Sequence, residues 1–199
     1  MADLKRINWM SGSVIRYITP KSKILEIGGG KNRLDIKGQD ITQLDKQKIV
    51  GNEVVHDLEK TPLPFKKGTF DVVFSHAVLE HVLNISNLFE DIHRILKPGG
   101  KLISYVPHYA GLSSVHFLHR NYFSADCLNF FSPDNPDFNF ESKIRFKTVR
   151  RRITFAPIFK WFEYIVNIND NTRRVYEGTF LCHAIRPQMI FFVLEAIKK

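Results

Sequence analysis

The sequence predicts an α/β fold built on a mostly parallel sheet. Three observations carry that reading. The run Ile24-Leu25-Glu26-Ile27 is apolar and short, and Gly28-Gly29-Gly30 closes it, as expected of a buried strand whose end turns sharply. Two more apolar segments follow, Ile41-Thr42-Gln43-Leu44 and Val54-Val55-His56, and acids close them at Asp45 and Asp57. A fourth apolar strand over 70–75, with its Val72-Val73-Phe74 run, then leads through a helical pattern at 85–97 into another strand at 101–106, so strand and helix alternate.

Taken in order, residues 4–18 carry Leu4, Ile7, Met10, Val14, Ile15 and Ile18 at mostly helical spacing, and Pro20 ends the pattern. An N-terminal helix within residues 1–20 is expected, packed near the cleft. The first strand is 23–27. The stretches from the glycine loop to the second strand and from Asp45 to Val54 are short. A parallel crossover usually takes about a dozen residues, so the first crossover is expected to shrink to a turn around Asn32 to Asp35. In the helix at 85–97, Leu88, Phe89, Ile92, Ile95 and Leu96 share one face, and Lys97-Pro98-Gly99-Gly100 stops it. Residues 107–142 form an insertion rich in histidine, aromatics, Asn and Pro. Its Phe117, Leu118, Phe123, Leu128, Phe130 and Phe131 need burial, which a linker would not offer. A strand at 143–154, a helix at 156–166 and a last strand at 189–197 complete one domain spanning 1–199.

Composition narrows the class. The chain has 199 residues, 44% of them hydrophobic, and a net charge of +9. No apolar run approaches the ~20 residues that span a bilayer, and residues 1–20 lack a signal-peptide core. The expectation is an intracellular, cytoplasmic protein. Cys127 and Cys182 have no paired spacing, so they read as buried free thiols of a reducing compartment. Lys143, Arg145, Lys147, Arg150, Arg151 and Arg152 fall in a ten-residue window without an acid. Alternation with Ile144 and Phe146 suits a half-exposed strand. A solvated face or a site for an anionic small substrate is favoured there over a nucleic-acid surface.

The glycine loop lets a ligand approach backbone amides closely. Asp45 lies 19 residues after Glu26, where nucleotide-binding α/β folds place an acid for ribose hydroxyls. A dinucleotide fingerprint would need glycine at 33, and Arg33 stands there, so NAD is disfavoured. The ordered series Glu26-x-Gly28-x-Gly30, Asp45, Asp57-Leu58, Phe70 to Phe74, Leu79-Glu80-His81-Val82 and Leu96 to Leu102 resembles class I S-adenosylmethionine-dependent methyltransferases. The likeness is to the small, single-domain methyltransferase type 11 group, and it spans about residues 22–108. It implies a Rossmann-like, mostly parallel seven-stranded sheet with an antiparallel last strand, and S-adenosyl-L-methionine as cofactor. By the same resemblance, Gly28 and Gly30 line the methionine portion, with Asn32 where many relatives have a third glycine. Glu26 orients the cofactor's amino group or the loop, Asp45 takes the ribose, and Asp57 with the Leu58 amide faces the adenine.

Ligands of open α/β sheets bind outside the carboxyl ends of the strands. That rule singles out Ser75-His76 and Pro107-His108-Tyr109. Ser75 is assigned to the cofactor side. His76 and His108 are the expected general bases, with His119, Tyr109 and His116 behind them and residues 107–142 forming an acceptor pocket or lid. Some RNA-methylating relatives carry a Glu-x-x-Glu-His metal set on this helix. Ala77 breaks that set here, so no metal is expected and Glu80-His81 is read as pinning the helix start. The expected reaction is methyl transfer to a small or medium-sized acceptor at oxygen or nitrogen. The rival readings are an RNA methyltransferase that uses the basic 143–152 strand and a non-catalytic S-adenosylmethionine-binding domain. Ser75-His76-Ala77-Val78 replaces the Asn/Asp-Pro-Pro-Tyr motif of many amino-directed nucleic-acid enzymes.

Overall fold

Seven strands form one sheet in the order β3-β2-β1-β4-β5-β7-β6. They are β1 (Lys23–Ile27), β2 (Asp40–Asp45), β3 (Val54–Val55), β4 (Phe70–His76), β5 (Leu96–Pro107), β6 (Arg145–Ile153) and β7 (Met189–Ile197). The computed structural model describes residues 12–30, 33–48, 54–135 and 142–198. Strands β1 to β5 run parallel, and β7 is antiparallel to both β5 and β6. The expected sheet with its antiparallel last strand is therefore present. The chain steps outward from β1 to β3 and returns to place β4 on the other side of β1. That reversal opens a crevice between the carboxyl ends of β1 and β4, the place where such sheets bind ligands.

The sheet buries both faces. Leu25, Ile27, Val73, Leu102, Phe192 and Leu194 pack under helix α1 (Ile85–Ile95) through Leu88, Phe89, Ile92 and Ile95. Their three- and four-residue spacing puts these four on one stripe. The opposite face buries Ile24, Val72, Phe74, Ile103, Tyr105, Phe191 and Val193 against Val14 and Leu34. Of the N-terminal helix, residues 12–15 are helical and the rest of 1–11 lies outside the described residues. No helix lies between β1 and β2 among the described residues, in line with the shortened crossover.

Several boundaries differ from the sequence reading. Helix α1 ends at Ile95, and β5 begins at Leu96 instead of 101. Gly99 sits at φ +73° inside that strand, so the proline-glycine pair bends an early strand and does not follow a long helix. Residues 157–159 form a 3-10 turn before helix α2 (Lys160–Val166). Two further helices, α3 (Asp170–Glu177) and α4 (Leu181–Ala184), were not anticipated. They cap β6 around Ile153, Phe155, Val166, Tyr176 and Cys182. Cys182 is buried as expected, whereas Cys127 is exposed.

Candidate active site

The glycine loop is fixed by what surrounds it. Gly28 sits at φ +65°, and a Cβ there would lie 2.6 Å from a Val78 methyl. Both its backbone and its missing side chain are therefore required. Gly30 takes φ +57°. Glu26 is 2% exposed. Its two oxygens each accept from the Leu34 N–H at 2.9 Å, and Gln43 Nε2 donates to Oε2 at 3.2 Å. The carboxylate thus holds the far end of the loop. Burial pushes its pKa up to about 7, against the opposing effects of the Leu34 bond and the Arg33 charge. Asp45 closes the near end, with Oδ2 accepting from Gly30 N–H at 3.1 Å and Oδ1 from Gln47 N–H at 3.0 Å. Two acids and three glycines therefore shape one loop at the switch point. Lys31 and Asn32 lie outside the described residues.

Asp57 follows β3 and accepts from the Glu59 N–H at 3.1 Å, capping its own turn. Leu58 is half-buried against the core under α1. Ser75 is fully buried, 2.7 Å from the Ser104 hydroxyl. It points to the face packed by α1, away from the one that carries Glu26 and His76, because side chains alternate along β4.

Cross-strand register builds the second half of the site. His76 pairs with Tyr105, Tyr105 with Phe191, and Phe191 with Arg152. Residues opposite one another in a sheet share a face, so these four form one row across β4, β5, β7 and β6. Their rings touch in sequence: His76 and Tyr105 centroids lie 5.8 Å apart, Tyr105 and Phe191 4.6 Å. The row floors a cavity of about 700 Å³ that Tyr17, His119 and Arg150 also line.

The basic strand is not the simple solvated face its alternation suggested. A bulge between Thr148 and Arg150 adds Val149 and shifts the phase of β6. Arg145 and Lys147 before it and Arg150 and Arg152 after it come to the same side of the sheet, because their partners Ile197, Glu195, Val193 and Phe191 are two residues apart along β7. Arg152 is held by Glu163 at 2.7 Å. Arg151 faces the other way and is buried, donating to the Ala125 carbonyl at 2.6 Å and to Asp170 at 2.8 Å.

His108 differs from expectation in orientation. It is 0% exposed. Its Nδ1 accepts from the Ala110 N–H at 3.1 Å, and its Nε2 meets Glu177 Oε1 at 2.8 Å. Both nitrogens are spent on fixing the 107–125 segment to α3, so His108 presents no group to the cavity. Tyr109 donates to the Glu177 carbonyl at 2.9 Å, and burial helps push its pKa up to about 12. Of the predicted bases, His76 and His119 border the cavity. Glu177 also accepts from the Ala125 N–H at 2.7 Å. Glu177→Ala should therefore strand two buried donors and destabilise the fold by about 2 kcal/mol. A urea melt at neutral pH reads this as a fall in midpoint, and an unchanged midpoint would free His108 of a structural role.

Residues 27–104 match the family model described as a methyltransferase domain. They contain the glycine loop, Asp45, Asp57 and β4, and so most of the switch-point crevice, with Glu26 just before them. Over these residues the chain is similar to a methyltransferase domain. Among curated relatives, a sterol 4-C-methyltransferase of Caenorhabditis elegans is 40% identical over 52 residues, covering 26% of this chain and 15% of that protein. A demethylmenaquinone methyltransferase of Lactococcus lactis is 29% identical over 89 residues, covering 43% and 32%. The match thus spans less than a third of either relative. Among solved structures, an S-adenosylmethionine-dependent methyltransferase from Archaeoglobus fulgidus superposes with a TM-score of 0.62 at 13% identity, covering 95% of this chain and 94% of its own. A putative methyltransferase from Bacillus halodurans gives 0.56 at 13%, with both chains fully covered. These likenesses show that the methyltransferase fold extends past residue 104, through β6 and β7. Among the described residues, no helix is long and apolar enough to cross a membrane.

Proposed function

We propose that this methyltransferase moves the methyl group of S-adenosylmethionine to an oxygen or nitrogen of a small or medium-sized anionic acceptor. The observation that carries the reading is the row His76-Tyr105-Phe191-Arg152, which continues from the cofactor crevice at β4 into a cavity with cations on its far wall. The cofactor would lie over Gly28 and Gly30, with Asp45 on the ribose and Asp57 near the adenine. The acceptor would sit over Tyr105 and Phe191. Arg150, and Arg152 braced by Glu163, would hold its negative group.

Bound there, S-adenosylmethionine would supply an activated methyl carbon: an acceptor lone pair would take it as the carbon–sulfur bond breaks and sulfur keeps the electron pair as a thioether. The leaving group is already activated, so the protein mainly orients and desolvates, and positioning alone supplies roughly 7–11 kcal/mol. An acceptor hydroxyl or ammonium must lose a proton, and His76 is the imidazole placed to take it. His108 acts one step removed, by fixing the cavity wall.

Asp45→Ala tests the cofactor half. Its loss should weaken S-adenosylmethionine binding by about 2 kcal/mol, roughly thirtyfold. Calorimetry on the folded variant reads the change, and an unaltered affinity would remove Asp45 from the ribose site.

The second reading, an RNA acceptor, draws on the cations that the β6 bulge gathers on one side. It requires tight binding with a steep salt dependence. The first reading requires only weak, non-selective retention of RNA at physiological salt.

A further inference from the structure

The turn after β4 and the segment 112–121 bring three ligating side chains together. Atoms of Glu80, His81 and His119 lie within 4.8 Å of one another. Glu80 is 1% exposed, and neither of its carboxylate oxygens has a hydrogen-bond partner in another residue. A buried carboxyl left in that state is costly unless a proton or a cation joins it. The two imidazoles are already oriented. His81 Nδ1 lies 3.1 Å from the Leu118 carbonyl, and His119 Nδ1 lies 3.0 Å from the Ser114 carbonyl. A carbonyl accepts only from N–H, so each ring carries its proton on Nδ1 and keeps the lone pair on Nε2. That is how metal-binding histidines are usually set by their outer partners. His116 sits beside them, its ring 5.1 Å from that of His119. Its Nδ1 accepts from the Leu118 N–H, which puts the proton on Nε2 and leaves this ring outside the set.

The scaffold is also fixed. Arg120 and Asn121 N–H groups donate to the Glu80 carbonyl at 2.7 and 3.1 Å. The Asn121 side chain donates to the Leu79 and Val82 carbonyls at 3.0 and 2.6 Å. The loop that carries His119 is thus clamped to the turn that carries Glu80 and His81.

We propose that Glu80, His81 and His119 form a binding site for a divalent transition-metal ion of the zinc class. Two imidazoles and one carboxylate suit a borderline ion better than magnesium or calcium, which prefer all-oxygen shells. A tetrahedron with bonds of about 2.1 Å has an edge of roughly 3.4 Å, so small side-chain rotations close the present spacing. Three protein ligands leave one position open, and all three residues line the cavity that His76 borders. An acceptor hydroxyl bound at that position would give up its proton more readily. That role rests on the methyl-transfer reading, whereas the site itself does not.

The test uses the whole chain, stripped with a chelator and then titrated with Zn²⁺ by calorimetry, without cofactor or acceptor. One ion per chain should bind, and Co²⁺ in its place should show visible ligand-field absorption. His119→Ala and Glu80→Gln should each lower affinity by at least about a hundredfold, more than the loss of an outer partner costs. His183→Ala, at an exposed histidine of α4, should leave it unchanged. No stoichiometric uptake by the folded wild type, or equal affinity in a His81→Ala/His119→Ala double variant, would overturn the site. Should Glu80→Gln fail to fold, the wild-type Co²⁺ spectrum and the His119→Ala titration decide.

Discussion

Replacing His76 with alanine is expected to lower turnover by about 10²–10⁴-fold, about 3–5 kcal/mol of transition-state stabilisation, while S-adenosylmethionine affinity stays near wild type. The asymmetry follows from where the residue sits. His76 is the last residue of β4, next to β1 in the sheet. Ala77 after it takes a left-handed φ of 54°, which turns the chain away and carries Val78 over Gly28. His76 itself stays on the cavity face, tilted against Tyr105. The cofactor loop is held by Glu26 through Leu34 and Gln43 and by Asp45 through Gly30 and Gln47. Removing His76 should therefore spare the cofactor and strike proton transfer. A variant that melts early but turns over normally per folded molecule would give His76 a structural role and remove it as the base.

How much of this was legible in the sequence depends on the range of the interactions. The loop at 28–30, the acids at 26, 45 and 57, and the apolar stripe of α1 are local patterns, and the structure has them where the spacing put them. The orientation of His108 was not legible, because it depends on Glu177, 69 residues away, on a helix the sequence reading omitted. That helix has little apolar content. Its available signal was the reciprocal cap of Asn169 and Thr172, which polar composition masks. The phase of β6 was hidden for a different reason. A single inserted residue, Val149, reverses which cations face the cavity, and a run of arginines reads alike in either phase. The orientation of Ser75 turns on the same parity: one position earlier than His76 on β4, it faces the other side of the sheet.

Glu26 should make the protein less stable as pH rises from about 4.5 to about 7. Its ordinary pKa is 4.5, and in the fold it is about 7, first because burial penalises the charge and then because Asp45 is near. Between those values the folded chain holds a proton that the unfolded chain has released. The folded state therefore binds more protons there, and unfolding free energy falls with pH. Stabilisation is fully present below about 4.5, declines across the window and is gone above about 7, a change on the order of 3 kcal/mol. The surroundings support a protonated form. Gln43 Oε1 is buried without a partner, and turning that amide over brings it to the 3.2 Å contact with Glu26, where a carboxylic acid O–H would donate to it. Glu26→Gln keeps an acceptor for the Leu34 N–H and removes the titration. Urea melts across pH 4.5 to 8 should show the decline in the wild type and a shallower one in the variant. Parallel curves would mean that Glu26 is ionised throughout, held by the loop amide and Arg33. In that case the glycine loop would already present a negative charge before any cofactor cation arrives.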